Sequence, residues 1–152
     1  MLTPEHEAIL TAALRAPSAH NAQPWRLEVR PDDQCYELHY DYTDYLPFDP
    51  EDRDAYLCMG AFVETLSLAA ANLGHRADFE PVFARSGSDL LVGRITIGPA
   101  PCEAAIDPLA ATISGRHTNR CEYDATPLPD ELVAELKNLG AVMVSPAAMA
   151  GL

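Results

Sequence analysis

Pro17 and Pro24 bracket the stretch Ser18-Ala19-His20-Asn21-Ala22-Gln23, and Trp25 follows at once. No other part of the chain restricts the backbone as much. Pro17 disfavours helical geometry at Ala16 and removes a backbone donor, so a helix arriving from the N-terminal side must stop there. Pro24 pushes Gln23 toward extended geometry in the same way. Between them lies a short loop with one hydroxyl (Ser18), two carboxamides (Asn21, Gln23) and exposed N–H groups. Such a loop can donate to carbonyls, ring nitrogens or phosphate oxygens without carrying charge itself. On residues alone it reads equally as a capped connection, because turn residues usually just turn.

The flanking patterns are regular. Thr3 is a good N-cap and Pro4 a good first helical residue, and Ile9, Ala12, Ala13 and Ala16 then share a helical face. Trp25, Leu27 and Val29 alternate with Arg26, Glu28 and Arg30, which predicts a strand. Pro31-Asp32-Asp33-Gln34 is a turn, and Tyr36, Leu38, Tyr40 and Tyr42 alternate with Glu37, His39 and Asp41 in a second strand that pairs with the first. The tyrosine row reads as one face of a half-buried sheet. Asp44 to Pro50 is a loop, after which Asp49 caps a helix running to about Asn72 and stopped by Gly74. Because Glu64 is the only charge between Leu57 and Leu73, that helix is expected to be buried on most sides. Phe79 to Arg85 and Leu90 to Ile97 predict a hairpin, Asp107-Pro108 a short helix, and Val142 to Ser145 a last strand. The order αββαββαα with antiparallel connections gives an α+β class, helices packed on an antiparallel sheet.

With 152 residues, 48% of them hydrophobic, the chain can bury one core but not two full domains. A net charge of −13 argues against nucleic acid, which needs clustered Lys and Arg, and against anionic membrane surfaces. No apolar run approaches the roughly 18 residues of a membrane span, and no N-terminal targeting pattern is seen. Cysteines 35, 58, 102 and 121 are scattered without a C-x-x-C pair, which reads as reduced thiols and a cytoplasmic setting. Histidines 6, 20, 39, 75 and 117 lack H-x-x-x-H or H-E-x-x-H spacing, so no zinc site is expected. Ser18 with His20 lacks a G-x-S-x-G elbow, and neither a Rossmann nor a P-loop glycine pattern occurs. His20 reads as a pocket-rim residue.

Pro17-Ser18-x-x-Asn21-x-Gln23-Pro24-Trp25 resembles the signature loop of the FMN-binding nitroreductase superfamily. Arg116-His117-Thr118-Asn119-Arg120, with Tyr123-Asp124 and Leu128-Pro129-Asp130-Glu131 after it, resembles that family's R-x-[ST]-x-[RK] phosphate clasp and the helix start beyond it. In ordinary members the clasp precedes the loop. Here the loop comes first, as in the tandem-repeat Acg-type members, where one chain holds two degenerate units. Leu2-Thr3-Pro4-Glu5 is echoed by Leu128-Pro129-Asp130-Glu131. This resemblance implies a first unit over residues 1–112 and the start of a second over 113–152, cut off at Leu152, hence an incomplete nitroreductase-like fold.

The same resemblance implies FMN as cofactor, with Pro17, Ser18, Ala19 and Asn21 lining the flavin, Gln23 supporting that loop, and Arg116, Thr118 and Arg120 holding the phosphate and ribityl oxygens. Arginine suits a phosphate because its planar fork donates two parallel hydrogen bonds. No protein residue need be catalytic, since the flavin carries the chemistry from a reductant such as NAD(P)H to a nitroaromatic, a quinone or a similar acceptor. In the family, the loop of one unit and the clasp of the next build one site. The helix after Asp49 packs along the dimer or pseudo-dimer axis, so a homodimer is expected. The second reading is a non-catalytic domain that binds or sequesters flavin, or a partner-assembled fragment of a longer tandem protein.

Overall fold

A computed structural model describes residues 3–30, 35–41, 49–101, 106–122, 124 and 126–140. The expected turn at 31–34, most of the 44–50 loop, Tyr42, Cys102, Tyr123 and the strand at 142–145 lie outside them. The chain forms two compact units, Met1–Thr118 and Asn119–Leu152.

In the first unit α1 spans Pro4–Ala13, and the Thr3 side chain accepts from the N–H of His6 at 3.1 Å, as its N-cap position demands. The helix ends earlier than Pro17 requires: Leu14 and Arg15 form a closing turn, with Ala16 N–H donating to the Ala13 carbonyl. Strands β1 (Trp25–Arg30) and β2 (Cys35–Asp41) pair antiparallel, with Glu28 directly opposite Glu37. Strands β3 (His75–Ser86) and β4 (Asp89–Pro99) form the second hairpin, longer at both ends than its apolar pattern suggests. The sheet order is β1-β2-β4-β3, so β3 is an edge strand. That position tolerates Pro81, which sits where the register slips between Pro81 and Ala84, beside Phe83 at φ 53°. Gly93 is required on β4, because a Cβ there would collide with the Phe79 ring and with the Glu80 backbone carbonyl.

Helix α2 spans Arg53–Asn72. Its start differs from expectation. Pro50–Asp52 is a single tight turn in which Glu51 and Asp52 are both left-handed, so the α-helix begins only at Arg53. Asp49 nevertheless does the capping, reaching over the turn: its Oδ1 accepts from Asp54 N–H at 2.8 Å and its Oδ2 from Ala55 N–H at 2.9 Å. Gly74, at φ 73°, ends the helix as expected.

Ile9 and Ala13 of α1, Met59, Phe62, Leu66 and Ala70 of α2, and Trp25, Leu38, Tyr40, Val92 and Ile95 of the sheet make one buried cluster. Trp25 and Phe62 stack with ring centres 5.2 Å apart. Here the expectation of a helix buried on most sides is corrected. Only one stripe of α2 is covered, while Tyr56 is 46% and Leu57 64% exposed. By length and composition alone α2 is long and apolar enough to cross a membrane, contrary to the sequence reading, but its buried stripe lies in the core.

The opposite sheet face corrects a second expectation. Glu37 and His39, which alternate with the tyrosines like solvent-facing residues, are 5% and 7% exposed. Glu37 receives Arg30 at 2.7 Å and Arg94 at 3.2 Å, Arg26 pairs with Glu28 and with Asp89, and His39 Nδ1 lies 2.7 Å from Asp89. The hydrogen bond from Arg30, helped by Arg94, holds the Glu37 carboxyl below its ordinary value of 4.5 although burial opposes this.

In the first unit a short helical turn at Pro108–Thr112 is capped by Asp107, whose carboxylate accepts from Leu109 N–H at 2.8 Å. In the second unit, α3 spans Asp130–Asn138 and begins at the Pro129-Asp130-Glu131 start that the sequence signals.

Candidate functional site

The loop between the prolines is a tightly wound knot. Ala19–Asn21 makes one turn, and His20, Asn21 and Gln23 all take left-handed φ values of 53°, 60° and 51°. Three such residues within four positions cost strain that the rest of the loop must hold, and strain of this kind gathers at ligand sites. Ser18 supplies part of the hold: its Oγ accepts from Gln23 N–H at 3.0 Å, closing the knot. The Gln23 side chain donates to Asn21 Oδ1 at 3.2 Å. A further tie reaches α2, where the N–H of Ala19 donates to Cys58 Sγ at 3.3 Å.

A cavity of about 290 Å3 opens between this loop and the first turns of α2, lined by Pro17, Ser18, Ala19, Asp54, Leu57, Cys58 and Ala61. Pro17, Ser18 and Ala19 are thus brought to one concave surface. Asn21 and Gln23 are exposed and do not line it. Sequence reading missed Asp54, Leu57, Cys58 and Ala61. Their spacing along one helical face is a visible signal, but nothing in the sequence says which helix the loop meets.

The walls are mostly apolar and small, suited to a flat ring. Asp54, whose Oδ1 lies 3.4 Å from Arg53 Nη2, is the only charged residue among them, so no cation lines the cavity to meet a phosphate. The clasp residues do not line the cavity. Arg116 is exposed and its Nε donates to the backbone carbonyl of Arg15 at 3.0 Å, so it is anchored two residues before Pro17. Among the described residues its Nη groups have no partner. Arg15 in turn donates to the carbonyls of Ile113, at 3.2 Å, and Ser114, at 2.7 Å. Thr118 is exposed at the end of the first unit, and Arg120 is exposed in the second.

No protein-family model matches the chain. Among curated proteins it is 33% identical over 133 residues to Probable NAD(P)H nitroreductase PigM of Serratia sp. (strain ATCC 39006), covering 84% of this chain and 36% of that protein. It is 32% identical over 148 residues to Rv3131 of Mycobacterium tuberculosis, provisionally named an NAD(P)H nitroreductase, covering 90% of this chain and 40% of that protein. The chain therefore spans well under half the length of these relatives. Among solved structures it resembles a nitroreductase-like protein of Streptococcus mutans with a TM-score of 0.54 at 16% identity, covering 95% of this chain and 89% of that one. A protein of Desulfovibrio desulfuricans provisionally named a nitroreductase, solved in complex with FMN, gives a TM-score of 0.53 at 20% identity, with 82% of this chain and 85% of that one covered. The structural matches show that the chain has a nitroreductase-like α+β fold, and together with the curated relatives they support the nitroreductase superfamily.

Proposed function

We propose that this chain carries part of the flavin site of an FMN-dependent oxidoreductase of the nitroreductase type. The observation that carries the reading is the apolar cavity between α2 and Pro17, Ser18 and Ala19, at the start of the loop whose His20, Asn21 and Gln23 are left-handed. FMN, when bound, supplies the redox chemistry, moving two electrons from a reductant such as NAD(P)H to a nitroaromatic, a quinone or a similar acceptor. The protein's part is to bind, orient and keep water out. Ala19, Leu57 and Ala61 offer a flat apolar wall for the ring system. The Ser18 hydroxyl, though it accepts from Gln23, keeps its own proton for a ring oxygen or nitrogen. Gln23 supports the loop from outside. Arg116, Thr118 and Arg120, carried over from the resemblance, hold the phosphate end.

At about 290 Å3 the cavity sits at the bottom of the roughly 300–1,000 Å3 range of small-molecule sites. This unit supplies one wall, and a second unit supplies the rest. The exposed Tyr56 and Leu57 beside the cavity, with Phe83 packed on Tyr56 at 5.8 Å, form the apolar surface such a unit would cover. In solution that unit is a second copy, giving a homodimer of about twice 16.5 kDa by light scattering. A chain that stays monomeric and folded on dilution defeats this part of the reading. The free thiols of Cys35, Cys58 and Cys121 accord with a cytoplasmic setting.

The deciding experiment compares FMN with riboflavin. Removing one charge-assisted contact by Arg120→Ala costs about 1.5–3 kcal/mol, so FMN affinity should drop about ten- to a hundredfold while riboflavin affinity stays constant. Equal binding of FMN and riboflavin by the native chain would sink the phosphate clasp. The second reading, flavin retention without turnover, draws on the incomplete cavity. FMN binding without NAD(P)H-driven reduction of any acceptor would favour it.

A further inference from the structure

Two arginines hold each other's backbone where the first helix runs out. After α1 the turn at Leu14 and Arg15 is closed by the N–H of Ala16 on the Ala13 carbonyl at 3.0 Å. From this turn the Arg15 side chain reaches partners 98 and 99 residues away: Nε donates to the carbonyl of Ile113 at 3.2 Å and Nη2 to that of Ser114 at 2.7 Å. Arg116 completes the exchange, its Nε donating to the Arg15 carbonyl at 3.0 Å. Ile113 and Ser114 follow the helical turn at Pro108–Thr112, and carbonyls at such an end lack intrahelical donors. Arg15 supplies them. Arg116 is also fixed at its own N–H, which donates to the Thr112 carbonyl at 2.9 Å. The anchor is firm, because Ala16, between Arg15 and Pro17, is buried.

The bonds of this exchange all go to neutral carbonyls. The chain carries 23 acidic against 10 basic side chains, and Arg26, Arg30, Arg53, Arg76 and Arg94 each meet a carboxylate. Among the described residues no carboxylate pairs with Arg15 or Arg116. Because Arg116 is held through Nε, its Nη1 and Nη2 edge stays open, and that edge can grip a phosphate with two parallel hydrogen bonds. A long side chain that is already ordered loses less freedom when an anion arrives. We propose that Arg15 is a positioning residue for Arg116. By holding the segment from Ile113 to Arg116 against the end of α1, it pre-orders the Arg116 guanidinium to receive an anion beside the start of the Pro17 loop. For the identity of that anion, the FMN phosphate, this rests on the flavin reading; the hydrogen bonds themselves do not. Neither sequence motif includes Arg15.

The test compares the native full chain with Arg15→Met, Arg15→Lys, Arg116→Ala and the double variant Arg15→Met/Arg116→Ala, each checked for folding by circular dichroism. FMN and riboflavin affinities are read from flavin fluorescence, and water exchange of the Arg116 Nε–H is followed by NMR without ligand. Arg15→Met keeps an apolar stem and loses the donors. It should lower FMN affinity about tenfold, the share of one charge-assisted contact, with riboflavin affinity constant and the Arg116 Nε–H exchanging faster. Arg15→Lys, which still donates to a carbonyl, should lose less than Arg15→Met on both readouts. Because Arg15 acts through Arg116, the double variant should bind FMN no more weakly than Arg116→Ala alone. Losses that add in the double variant, equal losses of FMN and riboflavin, or FMN affinity unchanged in Arg15→Met overturn the positioning role. A native chain that binds neither flavin sinks the flavin reading instead. The Nε–H exchange then decides the positioning by itself, and equal rates in the native chain and Arg15→Met overturn it.

Discussion

The two faces of the four-stranded sheet are both buried along β2, yet they are built on opposite principles. One face places Tyr36, Leu38 and Tyr40 under α1 and α2, where burial of the apolar rings and side chains is itself favourable and the Tyr36 hydroxyl lies 2.7 Å from His6 Nδ1. The other places Glu37 and His39 beneath the arms of Arg26, Arg30 and Arg94, where burial is tolerated only because each charge has an opposite within reach. Arginine serves this second purpose well, since its aliphatic stem covers what its head group neutralises. Apolar burial is robust to small shifts and indifferent to pH. The ionic face depends on protonation and on exact neighbours.

The sharpest way to break this contrast is at the fully buried Phe62. Phe62→Ala removes the ring packed on Trp25 and should cost about 3–5 kcal/mol in urea unfolding, with little change between pH 4 and pH 7. A loss below about 1 kcal/mol would mean that α2 can collapse into the gap and the apolar face is not a packed core. On the ionic face, Glu37→Gln should cost on the order of 1–3 kcal/mol at neutral pH, because two charge-assisted hydrogen bonds weaken. That difference carries a pH signature. The Glu37 pKa is lowered on folding, so its contribution is full above about 4.5 and fades as pH falls through the lower folded value. Native and Glu37→Gln unfolding midpoints should therefore converge in acid. A gap that stays constant below that pH would show that the two arginines do not hold the carboxylate. The smallest effect belongs to Arg26→Ala. Arg26 and Glu28 are 41% and 42% exposed, and solvent-screened pairs of this kind are worth about 0–1 kcal/mol. A larger loss would show that the ionic face acts as one network rather than as separate pairs.

Much of this was legible in the sequence, for a reason that also explains what was not. Alternation at Trp25–Arg30 and Tyr36–Asp41, the Thr3-Pro4 start and the Gly74 stop are local signals, and the elements they announce are where they should be. Burial of Glu37 and His39 was not legible, because their partners Arg30, Arg94 and Asp89 lie on the two neighbouring strands, β1 and β4, and polar alternation ordinarily means solvent. The left-handed turn at Glu51 and Asp52 was hidden behind Asp49, which looks like an adjacent cap and is a remote one. At the candidate site the loop was evident from its prolines. Its opposite wall was not, since only the fold decides that Ala19 meets Cys58. The apolar residues of α2 told their composition but not their coverage, and Leu57 is exposed within this chain.

The remote cap has an electrical consequence for whatever enters that cavity. The open end of a helix is a common seat for anions, because its first N–H groups point outward with a partial positive charge. In α2 the N–H groups of Asp54 and Ala55 are already taken by the carboxylate of Asp49. The helix end beside the cavity is thus discharged by the protein's own side chain, and Asp54, at the rim, is 3.4 Å from Arg53 and brings no cation to the cavity wall. On the proposed function this gives the cavity a polarity: a ligand with a neutral ring and an anionic tail can be accepted in one direction only, ring inward and tail away from α2.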